Sequence, residues 1–403
     1  MKPFAHGHAT HADWRVALAR AAQQVDSARG NERNGVPTLG WLYFSDHYAG
    51  EAEALYAEVR RRWPGVAWVG AGGIGVSASG VEHFDEPGLA LMLAALPRSE
   101  FRVFSGAQPL GGFAAHTAQV HADPATPDLA ELIDELSART ASGYLFGGLA
   151  SGRGRAPQIA DGVHDGGVSG VAFSERITLV SRVTQGCQPV GPVRTITGAE
   201  RNVIATLDDR PALACLLDDL GIDVATPARA LPAVRQTLAG LSAAHTDLLA
   251  RAGQFGTDTL VRHLVGIDPQ RGAIAIGDAV RRGMRLAFCQ RDIEAARRDL
   301  VRICAEVREE LEPDELALRA AQPAARGGSA EPSPAAPGPR IAGAIYVSCS
   351  GRGGPHFGAP SAELAIVRRA LGDVPLVGFF AAGEIARNHL YGYTGVLTVF
   401  AAD

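Results

Sequence analysis

The sequence predicts an α/β fold in which mixed β-sheets are covered by helices and arranged as two related lobes. Three observations predict it. Apolar strand-like segments alternate with amphipathic helical segments from Pro37 onward, and one strand–loop–helix–strand pattern occurs twice, far apart in the chain. With 403 residues, 46% of them hydrophobic, the chain is also long enough to bury more than one core.

The N-terminal residues 1–34 are expected to be a flexible start followed by a helix. Asp13 precedes the apolar helical spacing and is a suitable N-cap. His6, His8 and His11 would suit a metal, but no cysteine stands near them in the sequence to complete a site. A mobile terminus is therefore the favoured interpretation.

Residues 35–222 are predicted to form the N-terminal lobe. In chain order, the apolar patterns predict a strand at 38–45, a helix at 49–63, strands at 65–70, 89–96 and 101–106, a helix at 127–140, a strand and glycine loop at 142–154, short strands over 156–207 and a helix at 213–220.

Residues 223–403 are predicted to form the C-terminal lobe. In chain order, we expect a helix at 227–240, a strand at 285–290, a long amphipathic helix at 291–311, a disordered insertion rich in Ala, Pro and Gly at 319–340, and a buried strand at 341–348.

The repeated pattern joins an apolar strand, a loop, a helix and a second strand that ends in Val-Gly. In both copies another glycine stands five positions after that one, as in the pairs Gly70/Gly75 and Gly378/Gly383. The string LASGRG at 149–154 partly echoes SCSGRG in the second copy. Chance similarity of glycine-rich segments is the alternative, but duplication would give two equivalent sets of loops at strand ends, where ligands usually bind.

The first copy also matches GxGxxG at Gly70–Gly75. A dinucleotide site needs a helix to begin there, so that its N–H groups meet the pyrophosphate. The sequence VSASG follows instead and is poor in helix formers. The sequence therefore argues against a nucleotide-binding site.

Two charged loops are the best candidates for a ligand site. Arg352, in the glycine-rich loop after the strand at 341–348, is able to pair with a carboxylate while backbone N–H groups bind its remaining oxygens. Glu384, after the final Val-Gly strand, would bind a ligand ammonium or hold Arg352. Ser151 and Arg153 are the N-terminal counterparts. Solvated turns and structural ion pairs are the alternatives.

Composition and charge exclude several functional classes. The net charge of −5 argues against a nucleic-acid role based on overall basicity, and Lys2 is the only lysine, which excludes Schiff-base and Walker chemistry. Cys349 with His356 as base is a possible nucleophile, although most free cysteines are simply buried. The spacing of the histidines does not indicate a metal site. We expect neither an enzyme nor a cofactor.

The cellular setting is predicted from the first residues and the cysteines. The start of the chain lacks the basic flank and apolar stretch of a signal peptide, and no run of 18 uncharged apolar residues follows. The five cysteines are scattered and include no CxxC. These features favour free thiols in a reducing compartment, and therefore a cytoplasmic protein.

These motifs resemble those of the FIST domains of bacterial signal-transduction proteins. The segments VSCSGRG, VPLVGFFAAGEIA and GYTGVLTVF resemble the C-terminal FIST domain, whereas FGGLASGRG, GGVSGVAF and LDDRPALACLLDDLG resemble the N-terminal one. The resemblance implies a sensory module that binds a small charged metabolite, such as an amino acid, and acts through a separate partner. The family-like loop positions are Cys349, Gly351, Arg352, Gly353, Gly383 and Glu384.

Haem is an alternative ligand that the resemblance also implies. Some relatives bind haem, respond to nitric oxide and control a partner histidine kinase. A haem ligand in this chain would be His356 or His389, the histidines nearest the two loops. Neither matches a haem-binding motif, so a small metabolite is the favoured ligand and the haem gas sensor is the alternative.

Overall fold

The structure is a computed structural model that divides into two compact units. The first comprises Met1–Val183, Leu300–His389 and Gly395–Asp403, and the second comprises Thr184–Asp299 and Leu390–Thr394. These bounds differ from the boundary expected at 222/223. The structure describes residues 2–30, 35–222, 233–244, 248–251, 254–256, 259–311 and 341–402.

Several expectations concern residues at the limits of the described ranges. The insertion expected at 319–340 lies outside them. Of the helix expected at 227–240, residues 227–232 lie outside them too, residues 233–236 are helical, and the last three residues belong to a strand that begins at Leu238. No described helix is both long and apolar enough to cross a bilayer.

The helices follow the apolar periodicity of the sequence. Asp13 caps the first one by accepting the N–H of Arg15. The α-helices of eight or more residues in the described ranges are α1 Trp14–Arg29, α2 Ala52–Arg62, α3 Leu129–Ala138, α4 Ala212–Asp219, α5 Ile293–Leu311 and α6 Ala362–Leu371.

The strands before residue 186 include all those expected in that part of the sequence, and the strands β1, β4, β5 and β8 in addition. They are β1 Ala5–Thr10, β2 Leu39–Ser45, β3 Ala67–Gly73, β4 Gly75–Ala78, β5 Val81–Phe84, β6 Gly88–Ala94, β7 Phe101–Phe104, β8 Thr117–Ala122, β9 Tyr144–Leu149, β10 Gln158–Ala160, β11 Val163–His164, β12 Val168–Phe173 and β13 Leu179–Gln185.

The later strands fall into two runs. The first run is β14 Cys187–Pro189, β15 Arg194–Glu200, β16 Val203–Leu207, β17 Arg210–Pro211, β18 Leu238–Ser242, β19 Leu249–Arg251, β20 Gln254–Phe255, β21 Leu260–Asp268, β22 Ala273–Ile276 and β23 Arg285–Arg291. The second run is β24 Ile341–Cys349, β25 Leu376–Ala381, β26 Glu384–Arg387, β27 His389–Tyr391 and β28 Thr394–Ala401.

The first unit is built on three mixed six-stranded sheets, which confirms the α/β class. Their strand orders are β1-β6-β2-β3-β10-β11 for sheet 1, β27-β26-β9-β8-β12-β7 for sheet 2 and β13-β28-β24-β25-β4-β5 for sheet 3. Each sheet has one parallel pair, β2–β3, β8–β9 or β24–β25, and a helix (α2, α3 or α6) connects the two strands of each pair. The repeat therefore occurs three times, and its copies share one compact unit instead of occupying two lobes.

A glycine at the same place in each copy explains the Val-Gly signature. Each glycine lies directly opposite a residue of the preceding parallel strand, and a Cβ there would lie 1.8–1.9 Å from that residue's carbonyl oxygen. Only glycine allows the two backbones to approach so closely. The pairs are Gly70 with Leu42, Gly147 with Val120 and Gly378 with Tyr346.

A buried polar network lies where the three sheets of the first unit meet. Trp41 Nε1 donates to Gln119 Oε1 at 2.7 Å, and Gln119 Nε2 donates to the Tyr43 hydroxyl at 2.6 Å. The Tyr43 hydroxyl lies 3.2 Å from His121 Nε2, and the ring of Phe379 stacks on that of Tyr43. All five side chains are fully buried, so these contacts fix sheets 1, 2 and 3 against one another.

The second unit contains a closed antiparallel barrel. Its strands pair in the ring β23-β15-β16-β22-β21-β18, and β18 pairs again with β23. The core of the unit includes Ile196, Ile274 and Phe288 from the strands together with Leu216 from α4. Across the two units, strands β10–β16 and helix α4 confirm the short strands expected over 156–207 and the helix expected at 213–220.

Replacing Gly378 by alanine is expected to destabilise the first unit by about 3 kcal/mol or more, because the new Cβ would collide with the carbonyl of Tyr346. Urea unfolding measures the loss. The control is Gly112→Ala, where a Cβ has open space, and its effect should stay within about 0.5 kcal/mol. Equal effects of the two substitutions would contradict the close approach.

His121 is expected to make the fold sensitive to acid. Burial lowers the pKa of His121 to about 3, from the ordinary value of 6.5. Because the folded-state pKa is depressed, the stabilisation from the neutral ring is complete above pH 6.5 and is lost as the pH falls towards 3. His121→Phe should therefore lose less free energy of unfolding than the wild type between pH 7 and pH 4. Urea titrations at several pH values measure the free energy of unfolding of both proteins. The same change with pH in the two proteins would contradict this prediction.

Candidate functional site

A cleft of about 610 Å³ opens in the first unit at the carboxyl ends of the parallel strands. Five of these strands each contribute the residue that follows them: Ile74 after β3, Asp123 after β8, Ala150 after β9, Ser350 after β24 and Ala382 after β25. Ligands usually bind at this end of parallel strands in α/β proteins. All three copies of the repeat therefore meet at one candidate site.

The loop after β9 forms one wall of the cleft. Ser151, Gly152 and Gly154 all line it. Ser151 Oγ accepts the N–H of Ile74 at 2.9 Å and donates to the carbonyl of Phe380. Ser151 thus links the ends of strands from all three sheets, and its hydroxyl has a structural role as well as a place in the site.

The charges of the cleft come from residues that the sequence analysis did not single out. Arg155 lies between two carboxylates, with Nη2 at 2.5 Å from Glu53 Oε1 and 2.7 Å from Asp165 Oδ2. Asp123 accepts the backbone N–H groups of Ala125 and Gly166. The lining therefore presents one guanidinium and two carboxylates, those of Asp123 and Asp165.

Arg352 was expected to be open to a ligand. In the structure it is buried instead, in an ion pair with Glu363. Its side chain is 1% exposed, and its Nη2 and Nε lie 2.6 and 2.8 Å from Glu363 Oε1. Glu363, in the first turn of α6, also accepts hydrogen bonds from Tyr346 and Ser348. The sequence analysis gave a structural ion pair as the alternative for Arg352, with Glu384 as the partner. The observed partner is Glu363.

A second carboxylate lies close to this ion pair. Glu82 is 7% exposed and accepts the N–H of Gly354 at 3.0 Å. Burial, together with the negative charge of Glu363, raises the pKa of Glu82. Gly353 packs so closely against Phe84 that a Cβ would lie 2.2 Å from its ring. The glycines of this loop thus allow close packing over the buried charges.

The loops that carry Arg352 and Glu384 lie at the same end of sheet 3, as expected. Cys349, the last residue of β24, is in register with Ala381, the last residue of β25. The two loops therefore start side by side. Gly351 falls in the short 3₁₀ turn of the first loop, and Cys349 is buried.

Glu384 begins β26 and is fully buried. Its backbone pairs with Gly148 of β9, and the carbonyl of Gly383 accepts the N–H of Leu149 at 2.8 Å. This segment joins sheet 3 to sheet 2 through the backbone. Glu384 is absent from the lining of the cleft.

Arg153 lies beside the cleft but does not line it. It contacts Asp46 at 2.9 Å and Asp85 at 2.8 Å, and its side chain is 57% exposed. Burial would raise the pKa of Asp46, but the hydrogen bonds from Arg153 hold it below its ordinary value. The SGRG string after β9 is also not equivalent to the one that begins at Ser350, because β9 is the second strand of its pair and β24 is the first.

Replacing Arg352 by methionine is expected to destabilise the protein by about 3–5 kcal/mol, because Glu363 would keep a buried charge without its partner. Adding Glu363→Gln should restore part of the loss. Arg368→Met is the matched control: its ion pair with Asp373 is exposed on both sides, so the cost should stay within about 1 kcal/mol. Unfolding free energies measure all three variants, and equal losses for the two arginines would contradict the burial argument.

Two family descriptions together match most of the chain. The FIST N domain matches residues 38–210 and the FIST C domain matches residues 212–387. The first span contains the β2–β3 and β8–β9 copies of the repeat, and the second contains the β24–β25 copy.

Similar proteins occur in mycobacteria. The uncharacterized protein Rv0628c of Mycobacterium tuberculosis is 31% identical over 424 residues, and the alignment covers 98% of each chain. The uncharacterized protein Mb0898c of Mycobacterium bovis is 31% identical over 428 residues, again with 98% of each chain covered. From these matches and the shared motifs, the chain belongs to the FIST family, whose domains are sensory domains of signal transduction.

Proposed function

We propose that this protein is a cytoplasmic sensor that binds a small charged metabolite, such as an amino acid, in the cleft at the strand ends. The observation that carries the proposal is the convergence of five strand ends from three sheets on one cleft of about 610 Å³. Clefts of about 300–1,000 Å³ are typical of small-molecule sites. The five cysteines, none of which is joined in a disulfide in the described part of the chain, agree with a reducing compartment.

The charges of the lining suit a ligand that carries both signs. Arg155 is paired with Glu53 and Asp165, and a ligand carboxylate would take the place of one of them, with further contacts from the backbone N–H groups of the glycine loop. Asp123 and Asp165 offer contacts for an ammonium group. In this proposal these residues, and not Arg352 and Glu384, bind the two charges of the ligand. The buried Arg352 holds its loop in place.

Ligand binding in this cleft would favour one arrangement of the strand ends over another. A ligand that contacts the ends of β3, β8 and β24 together interacts with all three sheets. It shifts a conformational equilibrium only by its difference in affinity for the two states. We infer that a separate signalling partner, such as a histidine kinase, reads the favoured state.

The two alternatives have less support in the cleft. Cys349 is 8% exposed, whereas reactive thiolates occupy accessible, electropositive places. Among the described residues that line the cleft there is no histidine or cysteine, so the lining offers no axial ligand for haem. His356 lies in a short turn with its ring against Phe357, and His389 begins β27, so neither belongs to the cleft. A non-catalytic metabolite sensor is therefore the proposal.

Filling the cleft should abolish ligand binding. Gly154 lines it, and a Cβ there has open space, so Gly154→Leu should occupy the cleft without disturbing the fold. Isothermal titration calorimetry against the twenty amino acids is expected to identify a ligand for the wild type. The affinity for that ligand should fall at least tenfold in Gly154→Leu.

Two controls accompany this experiment. Gly112→Leu adds the same side chain in open space outside the cleft and should bind like the wild type. Arg155→Gln should weaken a carboxylate-bearing ligand, whereas Arg153→Gln, two residues away and outside the lining, should not. Saturable binding that Gly154→Leu leaves intact would contradict this location, and no binding to any amino acid would contradict the ligand class.

A further inference from the structure

The histidines near the N-terminus lie in a strand, not in a flexible terminus as had been expected. His6 and His8 alternate along β1 and therefore share one face of it. Gly7, between them, faces the opposite way, and a Cβ on it would lie 2.2 Å from the carbonyl of Ala21 in α1. Gln24 of α1 further holds the strand by bonding both the N–H and the carbonyl of His8.

The two imidazoles on this face meet the β4–β5 hairpin. His8 Nδ1 lies 2.8 Å from His83 Nε2, and His6 Nε2 lies 2.9 Å from Ser79 Oγ. The other nitrogen of His83, Nδ1, lies 3.0 Å from Glu86 Oε1. Two ring nitrogens thus face each other, and a carboxylate stands behind one of them.

This arrangement has the parts of a transition-metal site. A His-x-His sequence on a strand brings two imidazoles to one side, and a third imidazole is already in contact with one of them. Zinc binds imidazole nitrogens at about 2.0–2.1 Å, so an ion between His8 and His83 requires only a small separation of the two rings. A carboxylate that orients a ligating histidine, as Glu86 does for His83, is the usual outer partner in such sites.

A further property suits metal binding. The site has a path to solvent, because the Glu86 side chain is 50% exposed and that of His83 is 11% exposed.

We propose that His6, His8 and His83 bind one divalent transition-metal ion of the zinc type, with Glu86 orienting His83. Among the described residues, no three such side chains yet surround one point. In the proposed site, the His6 ring turns away from Ser79 and supplies the third nitrogen ligand. The bound ion would join β1 of sheet 1 to β5 of sheet 3.

The test is a Zn²⁺ titration of the full chain, expressed without a histidine tag and stripped by a chelator. Calorimetry is expected to find one ion per chain, with a rise in the melting temperature. His8→Gln and His83→Gln should abolish this binding, His6→Gln should weaken it at least tenfold, and Glu86→Gln should weaken it about 10–100-fold.

The controls separate this site from other histidines. His11→Gln and His164→Gln should leave the affinity for Zn²⁺ unchanged, and circular dichroism without metal checks the fold of each variant. If the His8 and His83 variants do not fold, Co²⁺ added to the wild type decides: tetrahedral absorption bands support the site, and their absence overturns it. Failure of wild-type Zn²⁺ binding, or binding that persists in folded His8→Gln, also overturns it.

Discussion

The close approach of two backbones within each parallel strand pair is the constraint on which the first unit depends. Gly70, Gly147 and Gly378 each lie against a carbonyl oxygen of the preceding strand, where a side chain has no room. This contact recurs in all three sheets, so each copy presents its strand ends with similar geometry. The cleft forms where those ends meet, and its location therefore follows from the packing of backbone, before any side chain of the lining is considered.

The sequence predicted the elements well because periodicity reports local structure. The α/β class, the long helix α5, the glycine loops and the shared sheet end of the loops that follow β24 and β25 were all readable from it. The third copy of the repeat was missed, because in it Phe146 and not valine precedes the glycine. Its relation to the other two becomes visible only through the pairing of Gly147 with Val120.

The site was harder to predict, because it depends on contacts between residues far apart in the chain. Arg352 has the sequence context of an exposed loop, and nothing local to it indicates that Glu363 of α6 will bury it. Asp123 and Asp165 look ordinary in the sequence, yet the fold brings both to the lining with Arg155. The His8–His83 contact spans 75 positions, so the sequence near the N-terminus shows no partner for the histidines.

The strand order of sheet 3 has a consequence for biosynthesis. The sheet combines β4 and β5, from the first quarter of the chain, with β24, β25 and β28, the last of which ends at Ala401. On the ribosome, the early hairpin must wait until the chain beyond Ile341 has been synthesised before its partners emerge, with an unpaired strand edge exposed meanwhile. Most of the second unit comes from one continuous stretch, Thr184–Asp299, and is available sooner. Until those later strands are synthesised, this edge is therefore where a nascent chain is most exposed to wrong pairing with another chain.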